Sequence, residues 1–274
     1  MNILVELLRA ALPVLYFATV WSYAKAFFRD SVTAKRAKTP LLTSTLVLHL
    51  IYLLLRTELF NHPPITTIFE IMSIIAFSIA GAYAFIEFIT KVKNTGYFIL
   101  NLAFIFQTLS SCFIVSLSQV NPVLRSHLLG IHVSSALLGY AAIAISAVYG
   151  FLYLMLYHHI KSSQFGVIYE KLPNLETLER MSMMSIVFGF CFLTVAIGVG
   201  LFWLPRAFEH FSYFDPKLIG TVFIWAMYGL GIVAKRTVGW QGRKIMVLSI
   251  IGFAVALFSL TIINVYFSGF HKFY

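Results

Sequence analysis

The sequence predicts an all-α fold: a polytopic integral membrane helix bundle of about eight transmembrane helices, with both termini on the outer face. Three observations lead there. Of the 274 residues, 60% are hydrophobic and only 11% are charged, whereas about a quarter of a soluble domain is charged. Mean hydropathy is +0.88, so lipid is the solvent for most of the chain. The long apolar runs lack period-two alternation. Backbone in lipid must satisfy its own hydrogen bonds, so such runs select helices over a barrel. One transmembrane domain over 1–274 is expected.

A helix needs about 20 apolar residues to cross a bilayer. Eight runs approach or exceed that: 5–25, 40–57, 65–90, 96–118, 128–157, 182–204, 217–234 and 244–268. The first, in MNILVELLRAALPVLYFATVW, carries an early acidic residue and no small-residue cleavage site, so it reads as a retained helix and not a signal peptide. The third and fifth are the longest and would tilt or protrude. Between the fifth and sixth lies KLPNLETLERM. Asn174 can cap a helix there, with Glu176 in its first turn and Leu172, Leu175 and Leu178 at helical spacing. A short helix on the inner surface is expected. The seventh span opens on Asp215-Pro216, a good N-cap followed by the residue favoured at the first helical position. Cys112 and Cys191 fall inside apolar runs and read as buried small hydrophobes, not as a disulfide or metal pair. There is no internal repeat of the kind transporters carry, which ranks a small-solute transporter last.

The net charge is +10. Connections 1–2, 3–4, 5–6 and 7–8 hold 14 Lys and Arg, and the other face holds 6. The first set is therefore cytoplasmic. The positive charge is accounted for by loop anchoring, and no nucleic-acid partner is expected.

This topology sorts the histidines. His158 and His159 end the fifth span on the inner side, where they complement the helix dipole. His49 lies midway along the second span, and an ionisable group at that depth is a candidate metal ligand, although it can equally bond a neighbouring helix. His62, His127, His132, His210 and His271 share the outer face. His132 and His271 sit at similar depth and would suit two axial ligands to one haem iron. Histidines are also common near interfaces, so the pattern leaves both readings open. Phe202, Trp203, Phe208, Phe211, Tyr213 and Phe214 precede Asp215, either as an interfacial belt or as a ring-lined shelf for a flat ligand.

Several segments resemble one known family, the cytochrome c assembly proteins of the CcsA/ResC/HemX type. They are HPPITTIFEIMSIIAF with Glu70, IHVSSALLGYAA, LPNLETLERM, FDPKLIGTVFIWAMY and SGFHKFY. Their order and spacing span nearly the whole chain. The resemblance places His132 and His271 at the two external haem-ligand histidines. It also places residues 208–217 on the tryptophan-rich signature that ends in Asp-Pro-Lys. Phe208, Ser212 and Phe214 stand where that signature has tryptophan, and Glu209 stands where it has glycine. Val233 stands where the synthases have an intramembrane histidine.

The resemblance implies a membrane haem-binding and haem-handling protein of cytochrome c biogenesis in a bacterial inner membrane, with haem b as cofactor. His132 and His271 would be axial ligands. Trp203, Phe208, Phe214 and Asp215 would line the porphyrin, and the outer cations Arg56, Arg125, Arg206 or Lys217 would either meet the propionates or serve as ordinary interfacial anchors. A ResB/CcsB-like membrane subunit and apocytochrome c are the implied partners, and the chain would be at most one component of a holocytochrome c synthase. The departures in the signature point to an alternative, a HemX-like regulator or scaffold of a haem-biosynthetic enzyme that transfers no haem.

Overall fold

Ser31, Thr67 and Asn174 each start a helix by accepting a backbone N–H on a side-chain oxygen: from Ala34 at 3.4 Å, Glu70 at 3.2 Å and Thr177 at 2.9 Å. Each of these groups would otherwise be an orphan donor of the first turn. Thr67 adds a full capping box, because Glu70 reaches back to the cap. Asn61 and Lys91 end their helices in the left-handed region, at φ 56° and 59°.

The computed structural model describes residues 1–115, 126–163, 165–207 and 213–259. Among them every regular element is a helix: α1 (Asn2–Phe28), α2 (Val32–Phe60), α3 (Ile68–Thr90), α4 (Gly96–Phe113), α5 (His127–Lys161), α6 (Val167–Lys171), α7 (Leu175–Ala207), α8 (Pro216–Thr237) and α9 (Arg243–Phe258). Seven of these, all but α6 and α9, are long and apolar enough to cross a membrane. The eighth expected span begins as α9, and its remainder from 260 lies outside the described residues.

The chain divides into two compact units, Met1–Arg125 with Gly166–Pro173, and Ser126–Phe165 with Asn174–Tyr274. In the first, α1 packs on α2 and α4, and α3 packs on α4. Lipid tails are as apolar as leucine, so close packing and polar contacts between helices must hold such a bundle together. The end of this unit where α3 finishes is fastened by Glu87, which is buried and accepts from Tyr23 Oη at 2.6 Å and Thr39 Oγ1 at 2.9 Å. Lys38 Nζ donates to the Lys93 carbonyl at 2.9 Å. Asp30 pairs with Lys35 at 2.6 Å and Lys171 at 3.7 Å. The Lys35 hydrogen bond and charge, with Lys171 behind them, hold its carboxyl below the ordinary carboxylate value.

In the second unit α5 is central, against α7 and α9. Gly139 and Gly189 set the α5–α7 distance. A Cβ on Gly139 would lie 2.9 Å from Leu193 Cγ, and a Cβ on either glycine would lie 3.3 Å from the other's carbonyl oxygen. Ser146 of α5 then hydrogen-bonds Ser182 of α7 at 3.1 Å and also Ser249 of α9, and Tyr228 of α8 donates to the Ser249 carbonyl at 3.1 Å. Four helices thus meet at one small polar cluster.

The helix that carries the second span begins at Val32, ahead of the apolar run at 40–57, because Ser31 caps a basic turn whose Lys38 reaches a loop carbonyl. The structure corrects two expectations. The expected inner-surface helix is not separate. The Asn174 cap is there, but α7 runs unbroken from Leu175 into the membrane span, with Leu178 and Met181 fully buried. Cys112 and Cys191 are free thiols, as expected, but both are exposed on outward helix faces. An apolar run does not distinguish a lipid-facing position from a core one.

Candidate functional site

His132 stands in the second turn of α5, half-buried. Its Nδ1 lies 2.8 Å from the Ala196 carbonyl oxygen of α7. A carbonyl only accepts, so Nδ1 carries the proton and donates. In the neutral ring Nε2 is then the basic nitrogen. A second partner that fixes ring orientation and tautomer in this way is the usual support for an iron-ligating histidine.

Ala196 lies seven residues before Trp203, about 10 Å along α7. Trp203 is half-buried, and Phe202 beside it is exposed. Across 208–212 the chain returns at Tyr213 and Phe214, the latter 83% exposed, and α8 starts at Pro216. Asp215 is buried, and its carbonyl accepts from Ile219 N at 3.0 Å, the first bond of α8. The Asp-Pro step is therefore a helix start, and the exposed rings lie at the same end of the unit as His132. Phe208, Arg125 and His271 lie outside the described residues. Among the described residues no three His, Cys, Asp or Glu cluster as a metal site. A histidine at the same end of the unit as these rings is compatible with haem, whose porphyrin supplies the equatorial donors.

Arg56 belongs to the first unit. It is 1% exposed, and its Nε and Nη2 donate to Glu70 Oε1 at 3.0 and 2.7 Å. Glu70 Oε2 accepts from the Thr66 amide at 2.8 Å and the Thr66 hydroxyl at 2.6 Å. The guanidinium also sits over the Phe60 ring at 4.8 Å. Only Nη1 is left buried and without a hydrogen-bond partner among the described residues. Arg56 is thus a built, charge-balanced site and not a solvated anchor.

His49 is fully buried at the centre of a chain of hydrogen bonds. Tyr16 Oη meets Nδ1 at 2.9 Å, Nε2 meets Ser73 Oγ at 3.0 Å, Ser73 Oγ donates to Gln107 Oε1 at 3.0 Å, and Gln107 Nε2 donates to Ser111 Oγ at 3.0 Å. The Ser73 proton is used on Gln107, so Ser73 must accept from Nε2–H, and Nδ1 must accept from Tyr16. Both ring nitrogens are engaged, and a metal could reach either only by displacing a partner.

Tyr16, Ser73 and Gln107 were not singled out from the sequence. The signal was present in spacing. Thr45, His49, Tyr52 and Arg56 recur every three or four residues on α2, as Glu70 and Ser73 do on α3.

The fold and this site together define a class: a polytopic helical membrane protein with a histidine near one helix start, hydrogen-bonded to a neighbouring helix. Comparison with known proteins makes the assignment specific. The family model "Cytochrome C assembly protein" matches residues 10–271, and the chain belongs to that family. Similar proteins named cytochrome c biogenesis protein CcsA occur in Chlamydomonas reinhardtii, Heterosigma akashiwo and Prochlorococcus marinus. The first is 29% identical over 157 residues, 57% of this chain and 43% of that protein. The second is 25% identical over 81% of this chain and 80% of that protein. The third, from strain MIT 9301, is 27% identical over 96% and 92%.

Proposed function

We propose that the protein acts in cytochrome c assembly by binding haem b at its outer face, with His132 and His271 as the axial ligands. The observation that carries this reading is the His132–Ala196 hydrogen bond, which makes Nε2 the basic nitrogen and holds the ring on α7. When bound, haem supplies the iron and the vinyl groups that an apocytochrome's thiols would meet. The chain's own part is positioning. α7 orients His132, Trp203 and Phe214 offer apolar surface to a porphyrin, and buried Asp215 keeps the α8 start fixed beneath them. Arg125 is the cation proposed for the propionates, whereas Arg56, buried and paired with Glu70, keeps a structural role in the first unit. A ResB/CcsB-like membrane subunit and apocytochrome c are the proposed partners, in a bacterial inner membrane.

The HemX-like alternative rests on Phe208, Ser212, Phe214 and Val233, which depart from the synthase pattern. One experiment separates the two. The protein is purified in mild detergent, and a reduced-minus-oxidised spectrum and a pyridine haemochrome assay are recorded beside His132→Ala and His271→Ala. A bis-histidine b-type spectrum, weakened in both variants, is expected. A folded protein that stays colourless after haem is added would overturn the haem reading and leave the regulatory one.

A further inference from the structure

The second unit carries a cleft of about 650 Å³ that the haem reading does not use. One face of α7 builds most of it. Met183, Met184, Val187 and Phe188 form an apolar floor, and Glu176, Glu179 and Arg180 form a polar rim one to two turns nearer the helix start. These positions recur every three or four residues and so share one face. Lys235 at the end of α8 and Gln241 complete the rim. The size is that of a small-molecule site, and the charge distribution of the chain assigns this end of the helices to the inner membrane surface.

The rim charges are not equivalent. Glu179 is fully used: Oε1 accepts from Lys235 Nζ at 2.6 Å, and Oε2 accepts from Gly242 N at 2.8 Å. That pair is neutral and fixes α7 to α8. Glu176 and Arg180, both exposed and one helical turn apart, have no ion pair among the described residues. An apolar floor below one unpaired anion and one unpaired cation fits a zwitterionic amphiphile. We propose that this cleft binds a phosphatidylethanolamine of the inner leaflet. Arg180 takes the phosphate through its guanidinium fork, Glu176 takes the ammonium, and an acyl chain lies along Met183, Met184, Val187 and Phe188. The primary ammonium matters because it donates hydrogen bonds to a carboxylate, which a choline headgroup cannot do. An anionic headgroup without an amine satisfies Arg180 and leaves Glu176 facing like charge.

The test is native mass spectrometry of the full chain in detergent. The protein is titrated with equal amounts of phosphatidylethanolamine, phosphatidylcholine and phosphatidylglycerol of one acyl composition, with a thermal melt of each variant to confirm folding. Phosphatidylethanolamine adducts should dominate. Arg180→Ala should weaken phosphatidylethanolamine and phosphatidylglycerol binding about tenfold, as loss of one charge-assisted contact does. Glu176→Gln should erase the preference for phosphatidylethanolamine over phosphatidylglycerol, and Met184→Trp should fill the floor and remove all three. Equal retention of the three lipids, or a preference untouched by Glu176→Gln, would overturn the proposal. Displacement of the lipid by haemin in the wild type, together with loss of haemin binding at this cleft in Met184→Trp, would reassign the cleft to a tetrapyrrole.

Discussion

His49 Nδ1 takes a hydrogen from a phenol, whereas His132 Nδ1 gives one to a carbonyl. The same side chain thereby has two different capacities. In His132 the basic nitrogen is Nε2. His49 is locked between Tyr16 and Ser73, and the run onward to Gln107 and Ser111 ties α1, α2, α3 and α4. A carboxamide does not relay protons readily, so this chain is better suited to bracing helices than to conduction. His49→Ala would leave the Tyr16 hydroxyl and the Ser73 hydroxyl short of a partner and open a cavity. An expected loss of about 1–3 kcal/mol in unfolding free energy follows from the cost of orphaned buried groups. It should show as a lower midpoint in detergent unfolding, with haem content per folded molecule unchanged. A normal midpoint with lost haem would instead make His49 a ligand.

At the scale of elements, the decisive contacts are those that bring backbones close. Gly139 of α5 and Gly189 of α7 each face the other's carbonyl at a distance that a Cβ would fill. Gly139→Leu must push α7 away, and α7 carries the Ala196 carbonyl that holds His132. The variant should therefore lose stability, by roughly 1–3 kcal/mol as overpacked sites do, and should weaken the haem band together with it. Gly198, whose Cβ would meet nothing within 4 Å, serves as the control on the same helix. Full haem binding in Gly139→Leu would show that the α5–α7 spacing does not position His132. The cap at Asn174 was legible from its residue type, but the continuity of α7 was not. KLPNLETLERM is amphipathic enough to lie on a surface, and only the burial of Leu178 and Met181 shows that it stands upright.

For the whole molecule, hydropathy carried the class and seven of the eight expected spans among the described residues, and charge supplied the expectation of which side faces in. They did so because lipid imposes one strong rule on backbone and another on lysine and arginine. What they left unread is lateral: which side of each helix meets lipid. Cys112 and Cys191 went astray for that reason. The same gap hid Ser73 and Gln107, which are polar residues in apolar runs that make sense only once their partners on other helices are known. His132 was singled out through its motif, and the Ala196 carbonyl that it bonds had no signal in the sequence. The orientation itself can be checked. In a Cys112→Ser, Cys191→Ser background, Ser163→Cys should resist a membrane-impermeant maleimide in intact cells and react after permeabilisation, while Tyr213→Cys should react at once. The reverse pattern would invert the topology.

The Arg56–Glu70 pair bears on how the protein is made. The two residues are 14 positions apart, on consecutive helices, and both are buried. During synthesis α2 emerges first, carrying a guanidinium whose counter-charge is still inside the ribosome. Removing one member of a buried pair costs about 3–5 kcal/mol, and an α2 released alone into lipid would bear a penalty of that kind. The hairpin of α2 and α3 is thus the smallest piece of this chain that can leave the insertion machinery comfortably, and the two helices are best regarded as one unit of membrane insertion.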